Sequence, residues 1–200
     1  MITLKGLNFE RSRSWLERAA ASRAEDPVSA FISAWISYNH YYSTFALEYA
    51  GDFHTWRKAH FKGRFGDKAE LLFLVQNQDF IEFLDEYKQL HLQRLSLPIE
   101  LPVINMLKDS PVPENRTGAH ELSALPYDDL FLVIYQIRNN LFHGSKDPTK
   151  IVRDLCLCTT AADFMVPLVA SLLSSTEGEI LNAYKDTGEA RERIRRLAEA

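Results

Sequence analysis

Twice along the chain an Asp-Pro pair, Asp26-Pro27 and Asp147-Pro148, stands directly before a long apolar stretch. An aspartate side chain accepts hydrogen bonds from the free N–H groups at a helix start, and proline at the first helical position has no N–H to leave unpaired. Both pairs therefore read as helix starts. After the first, Val28, Ile32, Trp35, Asn39, Tyr42, Ala46 and Tyr49 recur at helical spacing, and Gly51 suits the end of that helix. After the second, a helix is predicted to run to about Ser174 with a kink at Pro167.

The rest of the chain is predicted to be helical as well. A charged helix is expected from about Phe9 to Ala24, another near Asp52 to Lys62, and a longer one from Asp67 to about Leu92, broken near Asn77. "LLFLV" in isolation resembles a strand, but it has no strand partner and runs into the helical "FIEFLDEYKQL". Five of the eight prolines fall between Pro98 and Pro126, which marks about 95–126 as an irregular insertion loop rather than a domain boundary. Helical signal returns at Tyr127, with Asp128 and Asp129 at the positive end of the dipole and Gly144 placed to terminate. The charged "GEARERIRRLAEA" reads as a helix with a solvated face. The expectation is an all-α helical bundle with long central helices and a Pro-rich irregular loop, one domain over 1–200.

Composition narrows the class. Hydrophobic residues make up 46% and aromatics 12%, enough for a core without covalent staples. Cys156 and Cys158 lie two apart on one helix and point to different faces, which suits neither a bridge nor a zinc site. The sequence shows no signal-peptide pattern and no apolar run read as approaching the roughly 18 residues of a membrane span, so a cytoplasmic protein with no membrane partner is expected. A net charge of −4 argues against indiscriminate coating of nucleic acid, while local basic patches still suit phosphate.

The most informative stretch is "LFLVIYQIRNNLFHG". On a helix, Leu130, Ile134, Ile137 and Leu141 share one face, flanked by Phe131, Val133 and Phe142. Gln136, Asn139, Asn140 and His143 form a second, neutral polar stripe, expected opposite the core, where amides and an imidazole suit a surface dehydrated by a partner. Arg138 points to the margin of the apolar face, where a guanidinium requires a carboxylate, a phosphate or a route to solvent. The same residues also fit a plain helix end, with His143 as a dipole partner and Arg138 or the asparagines capping carbonyls.

Arg138-Asn139-Asn140-Leu141-Phe142-His143 resembles the R-x4-H motif of HEPN domains, all-helical dimeric ribonucleases of toxin–antitoxin, CRISPR and phage-defence systems. The lead-in "YQIRNNLFHG" and the early helix "FISAWISYNHYY", with Asn39 among aromatics, are similar to that family too. Ser145 departs from it, standing where HEPN toxins paired with nucleotidyltransferase antitoxins often carry a tyrosine, so regulation by modification of that residue is not expected. The resemblance implies a metal-independent endoribonuclease without cofactor, leaving 2′,3′-cyclic phosphate and 5′-hydroxyl ends. It also implies a homodimer in which both motifs share one cleft, and an antitoxin or defence-system partner. In that reading Arg138 holds the phosphoryl oxygens, His143 moves the proton and Asn139 orients one of them. Gln136, Asn140 and Asn39 are assigned to substrate binding, although a buried asparagine that fixes helix register accounts for Asn39 equally well. The alternative function is a catalytically silent HEPN dimer that binds RNA, a nucleotide or a protein.

A second substrate-binding candidate is "WRKAHFKGRFGDK", where Arg57, Lys58, Lys62, Arg64 and Lys68 alternate with Trp56, Phe61 and Phe65. An ordinary helix-loop surface explains the same composition. Gly63-Arg64-Phe65-Gly66 is similar to the GXXG clamp of KH domains, but the strands of that fold are missing. Neither phosphate-binding glycine loops nor a serine nucleophile elbow occurs, and the six histidines show no metal-ligand spacing.

Overall fold

A computed structural model describes residues 4, 6–61, 66–91, 95, 98–99, 103–105, 108–113, 120–142 and 151–180. Among these the chain is mostly helical, with seven α-helices: α1 (Gly6–Ser22), α2 (Pro27–Glu48), α3 (Ala50–His60), α4 (Asp67–Val75), α5 (Gln78–His91), α6 (Tyr127–Phe142) and α7 (Val152–Ile180). Asp26 caps α2 as expected, accepting from the Ser29 amide at 3.0 Å and the Ser29 hydroxyl at 2.5 Å. Those two bonds hold its carboxyl below the usual range. The Asp147-Pro148 start and the C-terminal charged helix lie outside the described residues.

Helix α2 packs on α1, α4 and α7. Its buried surface is far wider than the stripe read from spacing. Phe31, Ala34, Tyr38, Tyr41 and Phe45 are buried alongside Trp35, Tyr42 and Ala46, whereas Val28, Ile32 and Asn39 are half-buried and Tyr49 is exposed. The reason is that neighbours cover α2 from several sides. Against α1, Ser12 and Ser37 exchange hydroxyl-to-carbonyl bonds of 3.0 and 2.6 Å, which small side chains permit at close approach. Toward the other side, Tyr38 stacks on Phe131 of α6 and Phe80 of α5, with centroids 5.5 and 6.4 Å apart. Phe164 of α7 meets Phe131 edge-on at 6.1 Å. Ring pairs of this kind each contribute about 0.5–1.5 kcal/mol beyond their burial.

Three expectations need correction. Gly51 does not end α2, because the helix stops at Glu48 and Gly51 lies inside α3; only Tyr49 separates the two. The 95–126 segment is not wholly irregular. It holds β1 (Pro98–Ile99), β2 (Val103–Asn105), β3 (Ser110–Val112) and β4 (His120–Glu121), paired antiparallel as β1 with β4 and β2 with β3. Finally, Val152–Leu173 of α7 is long and apolar enough to cross a membrane by length and composition, contrary to the sequence reading; 67% of its apolar window is buried inside this fold, where it packs on α1, α2 and α6. The predicted break near Asn77 is observed, since α4 ends at Val75 and α5 begins at Gln78. Cys156 is exposed and Cys158 buried, as their spacing required.

Candidate functional site at the end of helix α6

Helix α6 is gripped on several sides, by α4, α7 and the β2–β3 hairpin. Successive residues near its end therefore meet different neighbours. Arg138 turns toward α4, whose first residue is Asp67. Its Nη1 donates to Asn139 Oδ1 at 2.7 Å, and its Nη2 lies 3.4 Å from Asp67 Oδ2. The guanidinium also lies 4.7 Å from the centroid of the Phe142 ring and 5.8 Å from that of Tyr135. About a quarter of the Arg138 side chain is exposed. Its Nε is buried and meets no hydrogen-bond acceptor among the described residues, so an incoming anion is left the terminal nitrogens.

Tyr135 completes this arrangement by donating its hydroxyl to Asp67 Oδ1 at 2.7 Å. Burial, and then the hydrogen bond and charge of Asp67, push that phenol up to about 12, against the opposite pull of Asn139 and Arg138. Asn39 joins from α2. Its amide donates to the Tyr42 hydroxyl, itself raised by burial and by the charge of Asp67. The predicted residues Arg138, Asn139 and Asn39 thus belong to one polar cluster with Asp67, Tyr135 and Tyr42, which sequence reasoning did not single out. Tyr135 was within reach of it, standing one helical turn before Arg138. Asp67 was not, because no local pattern connects a helix start near the middle of the chain with an arginine on another helix.

Gln136 and Asn140 correct the expected polar stripe. They are only 7% and 6% exposed, and they bond inward rather than forming an open face. Gln136 Nε2 donates to Asn140 Oδ1 at 2.8 Å, and Asn140 Nδ2 donates to the Ile104 carbonyl at 2.9 Å. Both amides are thereby committed to docking the hairpin. Between this part of α6, the hairpin and the start of α7 lies a cleft of about 210 Å³, lined by Ile137, Leu141, Val103, Leu157 and the buried Asp154. Asp154 and burial together push the Cys158 thiol up to about 12, burial being the larger cause.

His143, Lys62 and Arg64 lie outside the described residues. Arg57 and Lys58 sit on α3, which buries none of its side chains. Arg57 contacts His54 at 3.2 Å and lies 5.8 Å from the Phe53 ring, while Lys58 is exposed. Trp56 stacks on His60 at 5.0 Å and donates to Gln76 at 3.2 Å, so the rings of this segment largely fasten α3 to α4. Among the described residues no three of His, Cys, Asp and Glu are grouped to hold a metal ion.

Comparison of the chain with protein-family profiles, with curated proteins and with solved structures finds no match.

Proposed function

We propose that this protein is a metal-independent endoribonuclease of the HEPN type, acting as a homodimer in a toxin–antitoxin or phage-defence system. The observation that carries the reading is Arg138: a guanidinium fixed by Asn139 and by the Phe142 ring, still a quarter exposed, five residues before a histidine. RNA carries its own nucleophile in the ribose 2′-hydroxyl, so the protein has to stabilise charge and move protons. Arg138 binds the phosphoryl oxygens through its terminal nitrogens. His143 takes the 2′-hydroxyl proton or returns one to the departing 5′-oxygen, an imidazole being suited to proton transfer near neutral pH. The new bond joins the 2′-oxygen to phosphorus and the broken bond releases the 5′-oxygen, giving a 2′,3′-cyclic phosphate and a 5′-hydroxyl.

A second reading, a silent HEPN dimer that binds RNA, a nucleotide or a protein, is favoured by the Asp67 contact, which gives Arg138 a partner within its own chain. Incubating the purified protein with a mixed RNA pool, with and without chelator, and analysing the ends decides between them. The enzyme gives chelator-insensitive cleavage with cyclic phosphate ends. Intact RNA rejects it.

A further inference from the structure

Asp67 has no place in the chemistry just described, yet it touches two members of the cluster. We propose that Asp67 is an affinity-determining residue: its carboxylate holds the position at Arg138 that an RNA phosphate must take, and substrate binds by displacing it. This inference rests on RNA being the ligand of Arg138.

The geometry suits an exchange of one anionic oxygen for another. The Nη2···Oδ2 separation of 3.4 Å is longer than a good charge-assisted hydrogen bond, so the contact is mainly electrostatic and loosely held. When it opens, neither partner is stranded. Asp67 keeps the Tyr135 hydroxyl on its other oxygen at 2.7 Å and is 29% exposed, so water reaches it. Arg138 keeps Asn139 on Nη1 and the Phe142 ring against its plane, so it remains oriented for the incoming phosphate. The charge balance gives the direction of the effect. With Asp67 ionised, the Arg138–Asp67 pair is neutral and offers a phosphate little net attraction. Without that charge, the cluster presents one uncompensated guanidinium.

The test is binding of a fluorescent single-stranded RNA oligonucleotide with 2′-O-methyl riboses, which lacks the free nucleophile and is not cut, to the full chain. Asp67→Asn retains an oxygen for Tyr135 and removes the charge; it is expected to tighten binding roughly three- to thirty-fold, as for one like charge removed at a few ångströms. Asp67→Glu is expected to bind like the parent, and Glu86→Gln, an equal charge change at an exposed position on α5, to leave binding unchanged. In an Arg138→Ala background, Asp67→Asn is expected to bring no gain. Thermal unfolding checks that each variant folds, and Asp67→Ser replaces Asp67→Asn should the latter not fold. Unchanged or weaker binding by the neutral variant, a gain that survives loss of Arg138, or no binding by any variant overturns the proposal. Cleavage of unmodified RNA is scored separately. Tightening through Arg138 without any cleavage leaves the phosphate exchange standing and removes the nuclease, whereas cleavage without tightening does the reverse.

Discussion

Arg138 separates an enzyme from a scaffold because a fork and a point charge act differently at the same place. Lysine keeps the positive charge but loses the planar pair of terminal nitrogens. For a phosphate-binding residue, Arg138→Lys is expected to cut turnover severely and Arg138→Ala to abolish it. Stability should change little in either, since Asp67 keeps Tyr135 and water, and a partly exposed ion pair contributes at most about 1 kcal/mol. Thermal unfolding beside RNA cleavage checks both. A large fall in melting temperature with cleavage intact favours the scaffold. Cys158 and Tyr135 contribute to the alkaline behaviour, beside the raised phenols of Tyr38, Tyr42 and Tyr127. Cys158 and Tyr135 are each pushed up to about 12 in the folded chain, from ordinary values of 9.0 and 10.0. A group whose folded pKa is raised contributes stability that is full below its unfolded pKa and disappears as pH rises through the folded one. Urea midpoints are therefore expected to hold to about pH 9 and fall steadily toward pH 12. Cys158→Ala should flatten the first part of that fall, whatever it does to the absolute level. A midpoint independent of pH above 9 contradicts the assignment.

At the scale of elements, Asn140 supplies the side-chain hydrogen bond from α6 to the hairpin, beside the apolar packing of Val103. Replacing Asn140 with alanine leaves the Ile104 carbonyl and the Gln136 amide without their partners, at a cost of about 1–3 kcal/mol for each buried group left unpaired. Asn140→Ala is thus expected to lower the unfolding midpoint clearly, and the loss should appear as early amide exchange in β2 and β3. An unaltered midpoint shows that the hairpin is held by other means. This join also marks the boundary of what the sequence reveals. The helices α2, α4, α5 and α6 were legible from periodicity and caps, and a break near Asn77 was expected within the α4–α5 stretch. The short strands were not, because two or three residues carry no alternation and Pro98 and Pro111 argue against a strand. Once the hairpin is missed, Gln136 and Asn140 look like an open polar stripe. Helical spacing gives the direction of a side chain around one axis, and it cannot say that a second element covers that direction. The Arg138 environment was half legible: a carboxylate was among the partners its position required, but its source in α4 depends on tertiary packing.

The whole molecule raises a related point, since apolar content alone misreads α7. Its Val152–Leu173 stretch has the length and composition of a membrane span, yet most of it is enclosed by other helices of the bundle. The same bundle carries α6 with Phe142 55% exposed, immediately before His143, so a large ring is left outside at the point where the proposed site begins. In the composite site proposed above, two copies meeting near His143 would enclose that ring and bring two motifs into one cleft. Complementation tests this directly. His143→Ala is expected to lose about 10²- to 10⁴-fold in cleavage, the usual worth of a positioned acid or base. Arg138→Ala is expected to be inactive for want of charge stabilisation. Mixing the two inactive proteins under conditions of subunit exchange produces mixed dimers, about half of all dimers if pairing is random. Each mixed cleft then holds one intact arginine and one intact histidine, from different chains. Cleavage is expected to reappear on mixing and to scale with the mixed dimer measured by sedimentation. If each chain instead completes its own site, no mixture contains a working pair, and activity stays at the level of the single variants however long they exchange.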